Sequence, residues 1–152
     1  MAIPFLACMV LVASLDRLPP RVLPSIAVVE SGRVGAINRN SDGSEDLGPM
    51  QVNTRWLPII AQVTHRDITE TRSRLLNDAC FNISAAGAIL RTYLDEAHGD
   101  LMQAIGDYHS HTAPLNLNYR MQVIDAATRL FGQRAARQPS SAPIHRAPNR
   151  AG

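Results

Sequence analysis

Residues Asn38 to Asn53 read NRNSDGSEDLGPMQVN, and this stretch decides the fold. It is dense in Asn, Asp, Ser and Gly, which bond their own backbone or accept left-handed geometry, so it predicts turns and a short hairpin rather than a helix. The reversal is expected at Ser41-Asp42-Gly43-Ser44. On both sides the pattern is helical. Upstream, Pro19-Pro20 opens a segment running from Arg21 to Ser31 that Gly32 closes, the usual asymmetry of proline near a helix start and glycine past its end. Pro24 fits there only within the first turn. Downstream, Asp67 with Glu70 predicts a capping box for a helix to about Leu76. Ile83 to His98 places Ile83, Ala86, Leu90, Leu94 and Ala97 on one stripe, with Gly87 and Tyr93 on the same side. Asp100 can cap a helix from Leu101 to Tyr108, and a last one is expected from about Tyr119 to Phe131. The prediction is a mainly α fold with one small β-hairpin, inserted after the second of five or six helices.

The chain has 152 residues, 45% of them hydrophobic, enough for one domain and too few for two full ones. All 15 basic residues are Arg, against 13 Asp and Glu, giving a net charge of +2. Without Lys there is no Schiff-base or P-loop chemistry. The arginines are spread and aromatic residues are few, which argues against a nucleic-acid partner. Two cysteines, Cys8 and Cys80, cannot close a zinc site, although a single disulfide remains open. Gln138 to Gly152 is rich in Pro and Ser without apolar periodicity, so residues 1–133 are expected to form the domain and 134–152 a disordered tail. Ala2 to Leu15 is uncharged and mostly apolar, and two readings stand: a buried helix of the domain, or an export signal without the usual basic start.

Glu30 breaks a rule. It follows the apolar run Ile26-Ala27-Val28-Val29 and falls at the C-terminal end of its helix, where the dipole disfavours negative charge and burial opposes ionisation. Both effects raise its pKa. A carboxylic acid still protonated near neutrality can donate a proton, as a glycosidic leaving oxygen requires. The alternative is a Glu that simply points to solvent from the last turn.

The residues that follow it resemble the lytic transglycosylases of the soluble (SLT) type, within the lysozyme-like superfamily. The likeness rests on Glu30-Ser31-Gly32, on the Asn38–Asn53 stretch with Met50-Gln51, and on Trp56-Leu57-Pro58. It continues through Cys80-x-Asn82-Ile83, Ala86-Gly87-x-Ile89-Leu90 and Ala104-Ile105-Gly106-x-Tyr108. It is strongest with the small enzymes associated with conjugation and with type III and type IV secretion. The resemblance implies a lysozyme-like fold and cleavage of the β-1,4 bond between N-acetylmuramic acid and N-acetylglucosamine in peptidoglycan strands. Glu30 would serve as both acid and base, with 1,6-anhydro ring closure and no water consumed. Gln51, Asn53, Tyr108 and a hydroxyl near Ser41 would line the sugar cleft, with Met50 and Gly48 shaping the hairpin beneath it. No cofactor or metal is implied. Asp46 offers a second carboxylate, since the same stretch also resembles animal-type lysozymes, in which a matching Asp stabilises or attacks the cation.

Cys8 and Cys80 fall where family members of this subtype carry a disulfide, so the resemblance implies a Cys8–Cys80 bond, an oxidising compartment, and hence the periplasm. It also favours Met1 to Leu15 as first helix and leaves the route of export open. Two departures stand out. Pro49 replaces the usual Leu and removes a backbone donor from the hairpin. His109-Ser110-His111 follows Tyr108 where the family has Asn-Ala-Gly; the pair is expected to be exposed loop histidines rather than metal ligands. The expected protein is a monomeric wall-cleaving enzyme serving a secretion or conjugation apparatus. The alternatives are a hydrolytic muramidase using Glu30 and Asp46, or a catalytically silent peptidoglycan-binding protein.

Overall fold

In the computed structural model, which describes residues 2–132, a three-stranded antiparallel sheet is set among seven α-helices. The helices are α1 (Leu6–Leu15), α2 (Val22–Glu30), α3 (Leu57–Thr64), α4 (Ile68–Asn77), α5 (Ala79–Glu96), α6 (Leu101–His109) and α7 (Ala113–Phe131). The strands β1 (Ile37–Arg39), β2 (Glu45–Leu47) and β3 (Val52–Asn53) lie between α2 and α3, joined to α3 by a 3₁₀ turn, Thr54–Trp56. The mainly helical architecture with its inserted sheet is the expected one, and the fold is lysozyme-like. The sheet has one strand more than the hairpin expected. The 41–44 reversal joins β1 to β2, with the Asn40 N–H on the Ser44 carbonyl at 2.8 Å and Gly43 at φ 85°. A second turn brings Val52 against Leu47 and Asn53 against Asp46.

The helix boundaries follow local chemistry. Pro24 lies in the first turn of α2, where its missing N–H leaves no hydrogen bond unmade. Asp67, Asp78 and Asp100 each cap a helix, accepting from the backbone N–H of Glu70, Phe81 and Gln103 at 2.7, 3.0 and 3.0 Å. The box at Asp67 is only half formed, because the Glu70 carboxylate turns to Arg66 instead. Capping at Asp78 starts α5 four residues before Ile83. Two further boundaries differ from the sequence expectation. Helix α3 was not expected, although Pro58 in its first turn and buried Leu57, Ile60 and Ala61 carry its signal. Helix α7 begins at Ala113 rather than near Tyr119, because its first turns bury Asn116, a polar residue that no apolar stripe announces.

Leu23, Ile26, Leu47, Met50, Ile83 and Leu90 form the fully buried centre, which α2, the sheet and α5 share. The α5 stripe is as expected at Ile83, Ala86, Gly87, Leu90, Tyr93 and Leu94, all buried, whereas Ala97 is the partly buried C-cap of a helix that ends at Glu96 rather than His98. Helix α1 packs Met9, Val12 and Ala13 inward and leaves Val10, Leu11 and Leu15 exposed. A Cys8–Cys80 disulfide spanning 72 residues ties it to the first turn of α5. Among the described residues no helix is long and apolar enough to cross a membrane. The expected 134–152 tail lies outside the described residues.

Candidate active site

Glu30 is the last residue of α2, and Ser31 closes the helix in a left-handed conformation, φ 52°. The turn that follows is close-packed: a Cβ on Gly32 would stand 2.3 Å from the Gly48 carbonyl oxygen and 2.7 Å from that of Pro49. This contact sets the end of α2 against the β2–β3 turn. Gly32→Ala is therefore expected to cost about 1–3 kcal/mol through overpacking against backbone. A thermal melt checks this, and an unchanged midpoint would show that the approach is loose.

The Glu30 side chain is half-buried, and its pKa is raised from 4.5 to about 7. Burial is the main cause, and the Asp46 charge pushes in the same direction. Opposing them, the Tyr119 hydroxyl donates to Glu30 Oε1 at 2.5 Å. Tyr119 is 4% exposed, and burial, then the Glu30 charge, hold its own pKa far above the usual phenol range, so it remains a donor. Its ring stacks on His109, centroids 4.9 Å apart and planes 5° from parallel.

The sheet faces Glu30 across a polar cleft. Asp46 on β2 accepts from Asn53 Nδ2 at 2.8 Å through one oxygen and from Asn40 Nδ2 at 3.1 Å through the other. The Ser44 hydroxyl also accepts from both amides, at 3.0 Å each. Gln51 lines the cleft with its amide tied to the Gly48 carbonyl at 2.9 Å and its oxygen accepting from Asn38. The Tyr108 hydroxyl donates to the Met50 carbonyl at 2.8 Å. Past Trp56 and Ile89, which both cavities share, the cleft runs into an apolar groove between α3 and α5.

Of the residues singled out in the sequence, Glu30, Asp46, Gln51, Asn53 and Tyr108 line one cavity. Ser41 does not. It is exposed at the reversal, and Ser44, just ahead of β2 and two residues before Asp46, takes the place facing the cleft. The Met50 side chain is wholly buried in the core, so only its backbone serves the cleft. Pro49 sits in the turn between β2 and β3, outside the ladder, and no strand pairing is lost to it. His109 ends α6, exposed and against the cleft, instead of lying in a loop. His111 rests edge-on to Tyr93, 3.9 Å from the carboxylates of Glu96 and Asp107. Among the described residues no three metal-ligating side chains cluster. Sequence reading missed Tyr119, Asn40 and Ser44. Asn40 and Ser44 stood inside the quoted stretch, whereas nothing local marks Tyr119.

A carboxylic acid at a helix end, set across a polar cleft from a small sheet, is the layout of lysozyme-like proteins. Within that class the chain belongs to the transglycosylase SLT domain family, whose model matches residues 12–136. It is similar to invasion protein IagB of Salmonella typhimurium, 30% identical over 114 residues that cover 74% of this chain and 68% of that protein. It is also similar to a peptidoglycan-binding-like protein of Escherichia coli O157:H7, 30% identical over 76% of this chain and 71% of the other. Protein IpgF of Shigella flexneri is 27% identical over 79% and 76%.

Proposed function

We propose that residues 1–133 form a lytic transglycosylase that cleaves the β-1,4 bond after N-acetylmuramic acid in peptidoglycan. The observation that carries this reading is the Glu30 carboxyl, half-buried at the end of α2 and facing an amide-lined cleft, with burial raising its pKa towards neutrality. Glu30 gives its proton to the glycosidic oxygen as the bond to muramic C1 breaks. The resulting carboxylate then takes the proton of the C6 hydroxyl while O6 bonds to C1, closing the 1,6-anhydro ring. Atoms balance without water, and Glu30 ends protonated as it began. Gln51, Asn53 and Tyr108 hold the sugars, with Ser44 taking the part first expected of Ser41. Asp46 stabilises positive charge at C1.

The Tyr119 hydroxyl governs the pH range of this cycle. Because its hydrogen bond favours the charged form of Glu30, Tyr119→Phe is expected to raise the Glu30 pKa further. The alkaline fall in the rate then moves to higher pH. A pH–rate profile checks this, and a limb that stays in place or moves down would remove Tyr119 from the account.

A specific observation favours one second reading, a hydrolytic muramidase. Both Asp46 oxygens are held by amide donors, which fixes the group where it can stabilise or attack C1 while water completes the reaction. The silent binding-protein reading has less support, since Glu30 and its acid-favouring surroundings are intact.

Similarity to an invasion protein supports a role in opening the wall locally for a secretion or conjugation apparatus. The disulfide and the wall substrate together support a periplasmic site of action. The test is incubation with insoluble peptidoglycan: the account expects soluble muropeptides, and a folded protein that releases none would refute both enzymatic readings.

A further inference from the structure

Asn82 lies on α5 behind the sheet, fully buried, and it does not line the cleft. A buried amide is costly unless its bonds are made, and this one makes three. Its Oδ1 accepts from the Met50 N–H at 2.8 Å. Its Nδ2 donates to the Leu47 carbonyl at 2.7 Å and to the Leu75 carbonyl at 2.8 Å. Two of these partners bracket the β2–β3 turn, with Leu47 entering it and Met50 near its end.

That turn closes on the Gly48 carbonyl, which accepts from the Gln51 N–H at 3.1 Å, and otherwise leans on Asn82. Pro49 has no N–H to give, Gly48 sits at φ 72°, and Gln51 takes a left-handed φ of 51° although it is not glycine. The space behind it is filled to contact: a Cβ on Gly48 would come 2.5 Å from Asn82 Nδ2 and 2.4 Å from the Leu75 carbonyl oxygen. The front of the same turn carries cleft chemistry. Met50 gives its N–H to Asn82 and its carbonyl to the Tyr108 hydroxyl, so a single peptide segment links the buried amide to a cleft residue. The next residue is Gln51, whose side chain faces the cleft and folds back on the Gly48 carbonyl.

We infer that Asn82 is a positioning residue for this site, acting through the Met50 backbone to set where Gln51 and Tyr108 meet the glycan. The inference rests on the lytic transglycosylase reading. Displacing binding groups by about 1 Å can cost on the order of a hundredfold in rate. Asn82→Ala is therefore expected to lower kcat/KM roughly 30- to 100-fold at a temperature where circular dichroism shows it folded. Leu94→Ala, a buried truncation at the far end of the same helix, provides the comparison for lost stability alone and should stay within about threefold of wild type.

Hydrogen exchange at the Met50 and Gln51 amides should accelerate in Asn82→Ala and not in Leu94→Ala. Should the alanine variant fail to fold, Asn82→Asp keeps the size and the acceptor for Met50. Its rate relative to wild type should fall with rising pH, as the carboxyl ionises against two carbonyl oxygens. Folded Asn82→Ala with wild-type kcat/KM, equal losses in Asn82→Ala and Leu94→Ala, or an Asn82→Asp rate that tracks wild type across pH, overturns the inference. Absence of muropeptide release by the wild-type protein refutes instead the reading on which it rests.

Discussion

Glu30→Gln is expected to abolish muropeptide release, by a factor of at least about 10³, while making the protein more stable above neutral pH. The rate loss follows from removing the one group that both gives and takes the proton; general acid–base catalysis alone is worth roughly 10²–10⁴, and here one residue serves twice. The gain in stability follows from linkage. The folded pKa of Glu30, about 7, lies above its ordinary 4.5. Between those values the folded protein keeps a proton that the unfolded chain has shed, so this group's contribution to stability falls as pH rises through that window. Above it the cost is complete, about 2–3 kcal/mol once partial exposure to cleft water is allowed for. Gln removes the ionisation and still offers an oxygen to the Tyr119 hydroxyl. The variant should melt roughly 5–10 °C higher than wild type at pH 8 and close to it at pH 4. Undiminished release would end the role assigned to Glu30, and equal melting at pH 8 would show that burial does not strain it.

Loss of the Cys8–Cys80 bond should produce the second large effect. The bond closes a loop of 72 residues, for which the chain-entropy account gives about 4 kcal/mol. Reduction, or the paired change to Ser, is expected to lower the melting midpoint by roughly 10 °C. The damage should begin at α1, which is held otherwise by the packing of Met9, Val12 and Ala13. Cys80 stands two residues before Asn82 in α5, so the loosened segment adjoins the support of the cleft floor. Activity should fall under reduction at temperatures where the oxidised protein is fully folded. A melting curve that does not respond to reductant would show that α1 docks without its tether.

What the sequence made legible were features whose physics is local. The 41–44 reversal is written in Asp42 and Gly43, and the Asp caps and the α5 stripe are short-range patterns of the same kind. Glu30 stood out because a carboxylate at a helix C-terminus contradicts the dipole, which is a statement about nine consecutive residues. Strand β3 escaped because two residues, Val52 and Asn53, have no period to detect. The start of α7 escaped because Asn116 faces inward to Asp107, at 2.8 Å, and a polar residue in a buried position reads as exposed. Tyr119 could not be found by any local signal. Its partner Glu30 is 89 residues away, and only the packing of α7 on α2 brings them together. Ser41 and Ser44 show a finer limit: composition located the turn, and only the path of the folded chain into β2 shows which serine faces the cleft.

The mass of the product shows what Glu30 does after the glycosidic bond breaks. Purified protein incubated with peptidoglycan should release muropeptides ending in 1,6-anhydro-N-acetylmuramic acid, since the C6 hydroxyl and not water completes the reaction. Products heavier by one water, with free reducing ends, would contradict the claim and assign the chemistry to Glu30 and Asp46 together as a hydrolase.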